Sequence, residues 1–232
     1  MIKLENVCVS YPDKTPALKS VGFQIPKGAK CAVLGANGAG KSTLLAALMA
    51  LIDIQSGAAF LNGIAVCRKN AEAVRKTAAL VFQNSDDQLF FPTVLEDIMF
   101  GAANAGYSEA EAKIKAEKLL ESFGILRLKD RHIQRLSDGE KKKAAICSAL
   151  AQDPEILFLD EPSALLDPKS RRESAEFILG LDKTVMLTTH DLDFARACCE
   201  YSLILKEGRL AAFGKTPDIL ADKALLLDSS LM

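Results

Sequence analysis

The chain has 232 residues, about half of them apolar and a quarter charged, with a formal net charge of −1. That size and balance suit one large α/β domain or two small ones with a proper core, and they exclude the basic field that draws proteins to nucleic acid or anionic lipid. The longest apolar run, L-L-A-A-L-M-A-L-I (44–52), falls well short of the roughly 18–20 residues that a bilayer crossing needs.

Strand-like runs are expected at 2–9, 21–25 and 30–34, followed by a helix over 41–51, a strand at 58–61, a helix at 70–77 and a strand at 79–82. The stretch 86–150 is mostly helical, with helices at 108–123 and 139–152, and is expected to form a helical subdomain inside a single domain spanning 1–232. A strand at 156–160 and a helix at 169–179 come next, then a strand at 185–189 and a helix at 191–197. Strands at 202–205 and 209–213 and a helix at 216–221 complete the series. The runs A-V-L, I-L-F-L and V-M-L are apolar throughout, as parallel strands covered on both faces are. The pattern predicts a doubly wound α/β core with a helical insertion. Six scattered cysteines with no C-x-x-C pair, together with an N-terminus lacking a signal-like apolar run, point to reduced, mostly buried thiols and a cytoplasmic protein.

Residues 35–42 form G-x-x-x-x-G-K-[ST], between an apolar strand and an apolar helix. Glycines there let successive N–H groups converge on an anion, and the helix start adds the positive end of its dipole. Lys41 can reach terminal phosphates and the Ser42 hydroxyl can ligate Mg²⁺. In I-L-F-L-D-E-P (156–162), two carboxylates stand at the carboxyl end of a buried strand, where α/β sheets bind ligands. Asp160 suits Mg²⁺, and Glu161 suits a base or water-orienting group for attack on a γ-phosphate. V-M-L-T-T leads to His190, a polar contact for that phosphate from another strand end. A metal set of His190, Asp191 and Asp193 is conceivable, but Asp191 is better used as a helix cap. Gln83, in V-F-Q-N, ends a further strand and can offer its amide oxygen to the metal or the attacking water. L-S-D-G-E (136–140) opens a helix, and Lys141, Lys142 and Lys143 after it read as a solvated face.

The phosphate loop, Gln83, L-S-D-G-E, D-E-P, S-A-L-L-D and T-H follow in this order over nearly the whole chain. In this the chain resembles the ATP-binding subunits of ABC transporters. The resemblance implies an ABC-type P-loop NTPase fold: a RecA-like parallel core, an antiparallel β subdomain and a helical subdomain. It implies that Tyr11 stacks on adenine, and that Gly35, Ala36, Asn37, Gly38, Ala39, Gly40, Lys41, Ser42 and Thr43 hold the ATP phosphates. Mg²⁺ would sit at Ser42, Gln83 and Asp160, with Glu161 and His190 as catalytic groups. Ser137, Gly139 and Glu140 would act on ATP held by a second ATPase subunit, identical or paralogous, and Asp167 would cross the dimer interface. Asp138 and Glu140 depart from the family's L-S-G-G-Q, so Asp138 is expected to point to solvent.

V-F-Q-N-S-D-D-Q-L-F (81–90) and the F-P-T-V-L-E-D-I-M-F-G run are similar to energy-coupling-factor importers, which take up vitamins or Co²⁺/Ni²⁺, and L-S-x-G-E-K-K-K to their cobalt/nickel branch. That implies a transmembrane coupling protein, with its groove around 83–101, and a substrate-binding membrane component. No nucleic acid is expected, and the chain would lie on the inner face of the membrane through its partner. The alternatives are a non-transport ABC ATPase and a weakly active ATP-binding regulatory module. A GTPase is disfavoured because no N-K-x-D motif occurs.

Overall fold

The computed structural model describes residues 1–164 and 166–232; Leu165, within the S-A-L-L-D run, lies outside the described residues. Strands β1 (Ile2–Ser10), β2 (Pro16–Ile25) and β3 (Lys30–Leu34) precede α1 (Lys41–Leu48). Next come β4 (Ser56–Leu61), β5 (Ile64–Ala65), α2 (Ala71–Thr77) and β6 (Ala78–Val81). Three helices follow: α3 (Val94–Asn104), α4 (Glu109–Ser122) and α5 (Asp138–Ala151). The chain then returns through β7 (Ile156–Asp160), α6 (Pro168–Gly180), β8 (Thr184–Thr188), α7 (Leu192–Cys198), β9 (Tyr201–Lys206) and β10 (Arg209–Lys215) to α8 (Thr216–Ala221) and α9 (Lys223–Asp228).

Two sheets result. One is antiparallel, in the order β2-β1-β4-β5; the other runs β10-β9-β3-β8-β7-β6 and is parallel except for β10. Along β3, β7 and β8 every residue is buried, and their side chains alternate between two apolar cores. Ala32, Leu157, Leu159 and Leu187 face the core built with α3 to α7. Val33, Ile156, Phe158 and Met186 face the core shared with α1 and the antiparallel sheet. This period of two, apolar on both faces, accounts for the unbroken hydrophobic runs in the sequence. Four cysteines (31, 147, 198 and 199) are buried and all six are free, and burial pushes the Cys31 and Cys147 thiols up.

The elements depart from expectation in three ways. α1 ends at Leu48 rather than at 51, because the chain turns through Ala50 in the left-handed region at φ 54°. β2 begins at Pro16, where β1 pairs with it through a series of register shifts. Three elements had no separate counterpart in the sequence reading: β5, α9 and α3. The last is opened by a complete capping box in which Thr93 accepts from the Glu96 N–H and Glu96 accepts from the Thr93 N–H.

Helix α3 crosses α5 at a close backbone contact. A Cβ at Gly101 would lie 2.5 Å from the Ser148 carbonyl oxygen, so the crossing needs glycine. Gly101→Ala should therefore push the helices apart and cost about 1–3 kcal/mol, the range for overpacking a core. Urea unfolding followed by circular dichroism checks this, and an unchanged midpoint would refute it.

Candidate active site

The parallel strands bring their carboxyl ends to one edge, and β3, β6, β7 and β8 deliver the expected groups there. From β3 the chain enters the phosphate loop. Gly35 (φ 157°) and Gly40 (φ 103°) press against backbone: added Cβ atoms would meet the Leu205 and Ala17 carbonyls at 2.5 and 2.9 Å. Gly38 (φ 79°) faces open space. No side chain caps α1, so the N–H groups of its first turn stay open beside the loop. Lys41 is buried, and its Nζ donates to the carbonyls of Gly35 (2.7 Å) and Ala36 (3.2 Å).

From β7 come Asp160 and Glu161, both buried. Glu161 sits in the left-handed region (φ 46°), a costly conformation for a non-glycine residue. Its N–H donates to Thr188 Oγ1 at 2.9 Å, and that hydroxyl donates to Asp160 Oδ1 at 2.5 Å. Thr188 is fully buried at the end of β8. It thus ties both carboxylate residues to the neighbouring strand. Glu161 Oε2 lies 3.1 Å from His190 Nδ1, and Oε1 lies 3.8 Å from Lys41 Nζ. His190 is mostly exposed, and Asp191 beside it caps α7 by accepting from the Phe194 N–H.

A cavity of about 560 Å³ gathers much of the expected set. Asn37, Gly38, Gly40, Lys41, Ser42, Thr43, Gln83, Glu161, His190 and Tyr11 all line it. The Tyr11 hydroxyl is 2.6 Å from Thr43 Oγ1, which holds the exposed ring at the cavity mouth. Gly35, Ala36 and Ala39 shape the loop without lining this cavity; Ala36 and Ala39 instead line a small recess of about 180 Å³ on its far side. Asp160 opens onto a second cavity of about 510 Å³, shared with Gln83, Asp138, Lys141 and Lys142. Gln83 lines both cavities.

The remaining expected residues lie apart from the phosphate loop. Ser137 is the N-cap of α5, and Glu140 closes its capping box by accepting the Ser137 N–H at 3.0 Å. Those hydrogen bonds, burial notwithstanding, hold the Glu140 carboxyl below its usual range, with help from Arg127 at 3.4 Å. Gly139 lines a separate groove with Leu166 and Ser170. Asp138 is exposed on the rim of the second cavity. Asp167 caps α6, accepting from the N–H groups of Lys169 (2.9 Å) and Ser170 (3.1 Å). The Ser170 hydroxyl, 2.6 Å away, does most to hold that carboxyl below its usual range.

Two findings were missed in the sequence. Thr188 carries both strand-end carboxylate residues, and its only signal was the T-T pair closing an apolar strand. The lysine run is not a solvated face, because each lysine has its own partner. Lys141 pairs with Asp86 (2.7 Å) and Lys143 with Glu173 (3.0 Å). Lys142 is buried, and its Nζ donates to the carbonyls of Phe82 (3.0 Å) and Gln83 (2.6 Å). Burial lowers its pKa, against the opposing pull of the Asp160 and Glu161 carboxylates.

Residues 18–164 match the family described as ABC transporter. The energy-coupling factor transporter ATP-binding protein EcfA of Carboxydothermus hydrogenoformans is 39% identical over 99% of this chain and 86% of its own length. CbiO1 of Clostridium perfringens, part of the ABC transporter complex cbiONQ, superposes with a TM-score of 0.85 at 34% identity, covering 99% of this chain and 94% of that one. The dimeric ATP-binding cassette MJ0796, in a post-hydrolysis state bound to ADP and Pi, gives a TM-score of 0.83 at 27% identity, with 93% and 99% covered. With the sheets, the phosphate loop and the helix opened by L-S-D-G-E arranged as described, the chain belongs to the ABC transporter family, among the ATP-binding subunits of the energy-coupling factor type.

Proposed function

We propose that this chain is the ATP-hydrolysing motor of an energy-coupling-factor importer, for Co²⁺/Ni²⁺ as in the cobalt/nickel branch or for a vitamin, and that it works as a pair of ATPase subunits on a transmembrane coupling protein. The observation that carries this reading is the convergence of Lys41, Gln83, Glu161 and His190, from four strand ends, on one cavity beside an uncapped helix start. In this reading residues 1–232 are one nucleotide-binding domain, and 86–150 are its helical subdomain.

The residues fit ATP with Mg²⁺. Open N–H groups at the start of α1 and the Lys41 ammonium suit phosphate oxygens. Ser42, Gln83 and Asp160 offer a hydroxyl, an amide and one carboxylate, the sparse oxygen set of an ion that keeps waters and phosphate ligands. Mg²⁺ held by these residues would neutralise phosphate charge. Glu161 takes the proton of, or orients, the attacking water, and His190 holds Glu161 and reaches the γ-phosphate. Tyr11 provides the face for adenine. Ser137, Gly139 and Glu140 present the start of α5 to ATP on the other subunit. There the Glu140 carboxylate acts through its cap on α5, and Asp167 lies at the subunit boundary.

The membrane partner's site is supported by an exposed aromatic cluster. Phe90, Phe91 and Phe100 pack with centroids 5.0–5.5 Å apart, and Phe90 is 69% exposed. Buried Asp97 fixes them by accepting the N–H groups of Phe90 and Phe91. Apolar surface held rigidly in this way suits helices of a coupling protein. No helix among the described residues is long and apolar enough to cross a membrane, so attachment to the inner face would be through that partner. Cargo selection would rest with the substrate-binding membrane component.

Glu161→Gln should bind ATP as the parent does and hydrolyse it about 10²–10⁴-fold more slowly, the span of general base catalysis. On adding Mg-ATP it should pass from monomer to dimer in light scattering. Near-native turnover would remove Glu161 from its role, and a parent chain that binds ATP without turning it over would favour a regulatory module. Thr188→Val keeps the shape but leaves the Glu161 N–H and Asp160 Oδ1 without their shared partner. It should cost about 1–3 kcal/mol in urea unfolding and lower kcat more than it raises KM. A stable variant with native kcat would contradict this.

A further inference from the structure

We propose that Lys142 is a positioning residue for ATP hydrolysis, holding the backbone of Gln83 on α5 so that the Gln83 amide faces the nucleotide cavity only while α5 keeps its place. This rests on reading that cavity as the ATP site.

Lysine is seldom buried without an ionic partner. Lys142 is 5% exposed, and among the described residues it makes no ion pair within 4.0 Å; its ammonium meets two carbonyl oxygens instead. Those carbonyls need a donor for a topological reason. The β6–β7 ladder ends at Val81 opposite Leu159, so residues 82 and 83 have left the sheet. What holds them comes from the helix side. Gln88 Oε1 accepts the Phe82 N–H (3.3 Å) while its Nε2 donates to the Ala145 carbonyl of α5 (2.8 Å). Lys141 pairs with Asp86 on the same loop. Three side-chain ties therefore run from the loop to α5, and the one reaching Gln83 itself is buried and charged, which makes it the strongest.

The loop consequently follows α5 and not the strand that leads into it. Gln83 stands between two cavities, one at the phosphate loop and one walled by Asp160 and Ala164 opposite Asp138 and Lys142. A shift of α5 across the second cavity would carry Gln83 along the wall of the first. Lys142 thus converts the position of the helix that starts at Ser137 into the position of an amide beside Lys41 and Glu161.

The test uses the full chain with Lys142→Met, Lys142→Arg, Gln83→Ala and the Lys142→Met/Gln83→Ala pair. Hydrogen–deuterium exchange without nucleotide reads the tie directly. Lys142→Met should speed exchange at residues 82–88 by about tenfold or more, the loss expected for hydrogen bonds to a charged group, and Lys142→Arg should restore protection. Unchanged exchange overturns the proposal. In Mg-ATP turnover, Lys142→Met should lower kcat with little change in KM, and the pair should be no slower than Gln83→Ala alone. Losses that multiply would place Lys142's action elsewhere and also overturn it. If Lys142→Met does not fold, Lys142→Gln, polar but too short to span both carbonyls, takes its place in both measurements. A parent chain without ATP turnover would sink the ATPase reading, whereas the exchange result would still decide whether Lys142 holds the loop.

Discussion

Full burial of three parallel strands is the constraint on which the rest of this structure depends. β3, β7 and β8 have no exposed residue, so their charged groups lie only at the strand ends: Lys30 opens β3, and the others stand at or past the last rung. Lys41, Asp160, Glu161 and His190 all stand at that edge, and even there the first three are more than nine-tenths buried. Their charges are tolerated because each meets a partner: Lys41 finds the loop carbonyls, Asp160 the Thr188 hydroxyl, and Glu161 both His190 and Lys41. Thr188 is the least conspicuous member and the most connected. By serving Asp160 and the Glu161 N–H together, it holds Glu161 in a backbone conformation that a non-glycine residue would otherwise avoid.

A second organising feature is how α5 is anchored. Three consecutive lysines reach three separate partners, two on the loop after β6 and one on α6, because successive helix positions lie about 100° apart. Lys141 reaches the loop after β6, Lys142 the backbone of that loop, and Lys143 reaches α6. The two outer pairs are partly solvated and contribute little to stability. The middle one, buried against neutral carbonyls, costs desolvation and determines geometry instead. The start of α5 and the Gln83 loop accordingly behave as one piece.

The aromatic cluster inverts the usual distribution of polarity. A carboxylate, Asp97, is buried at 2% exposure so that Phe90, next to it through a backbone hydrogen bond, can remain largely in solvent. Asp97 also accepts from the Ser148 hydroxyl at 3.0 Å, so the same carboxylate ties α3 to α5 and holds the aromatic surface in place.

Much of this was legible in the residues. Apolar runs marked the buried strands because burial on both faces confines polar residues to the strand ends. The phosphate loop declared itself because glycines and a lysine at fixed spacing have one good use beside a strand and a helix. The D-E pair was recognisable because carboxylates ending such a strand face a ligand edge. α3 received no bounds of its own within the helical stretch 86–150, although Thr93 and Glu96 spell a capping box. What no local pattern contained was pairing across distance. That Thr188 would hold residues 160 and 161, that Lys142 would reach 82 and 83, and that Gln83 would border two cavities depends on strand order and helix placement. The sequence by itself determined the family to which the chain belongs, because a phosphate loop needs particular residues at short, fixed spacings. Only the tertiary structure decided which groups hold that chemistry in place, because those hydrogen bonds join residues from 27 to 60 positions apart.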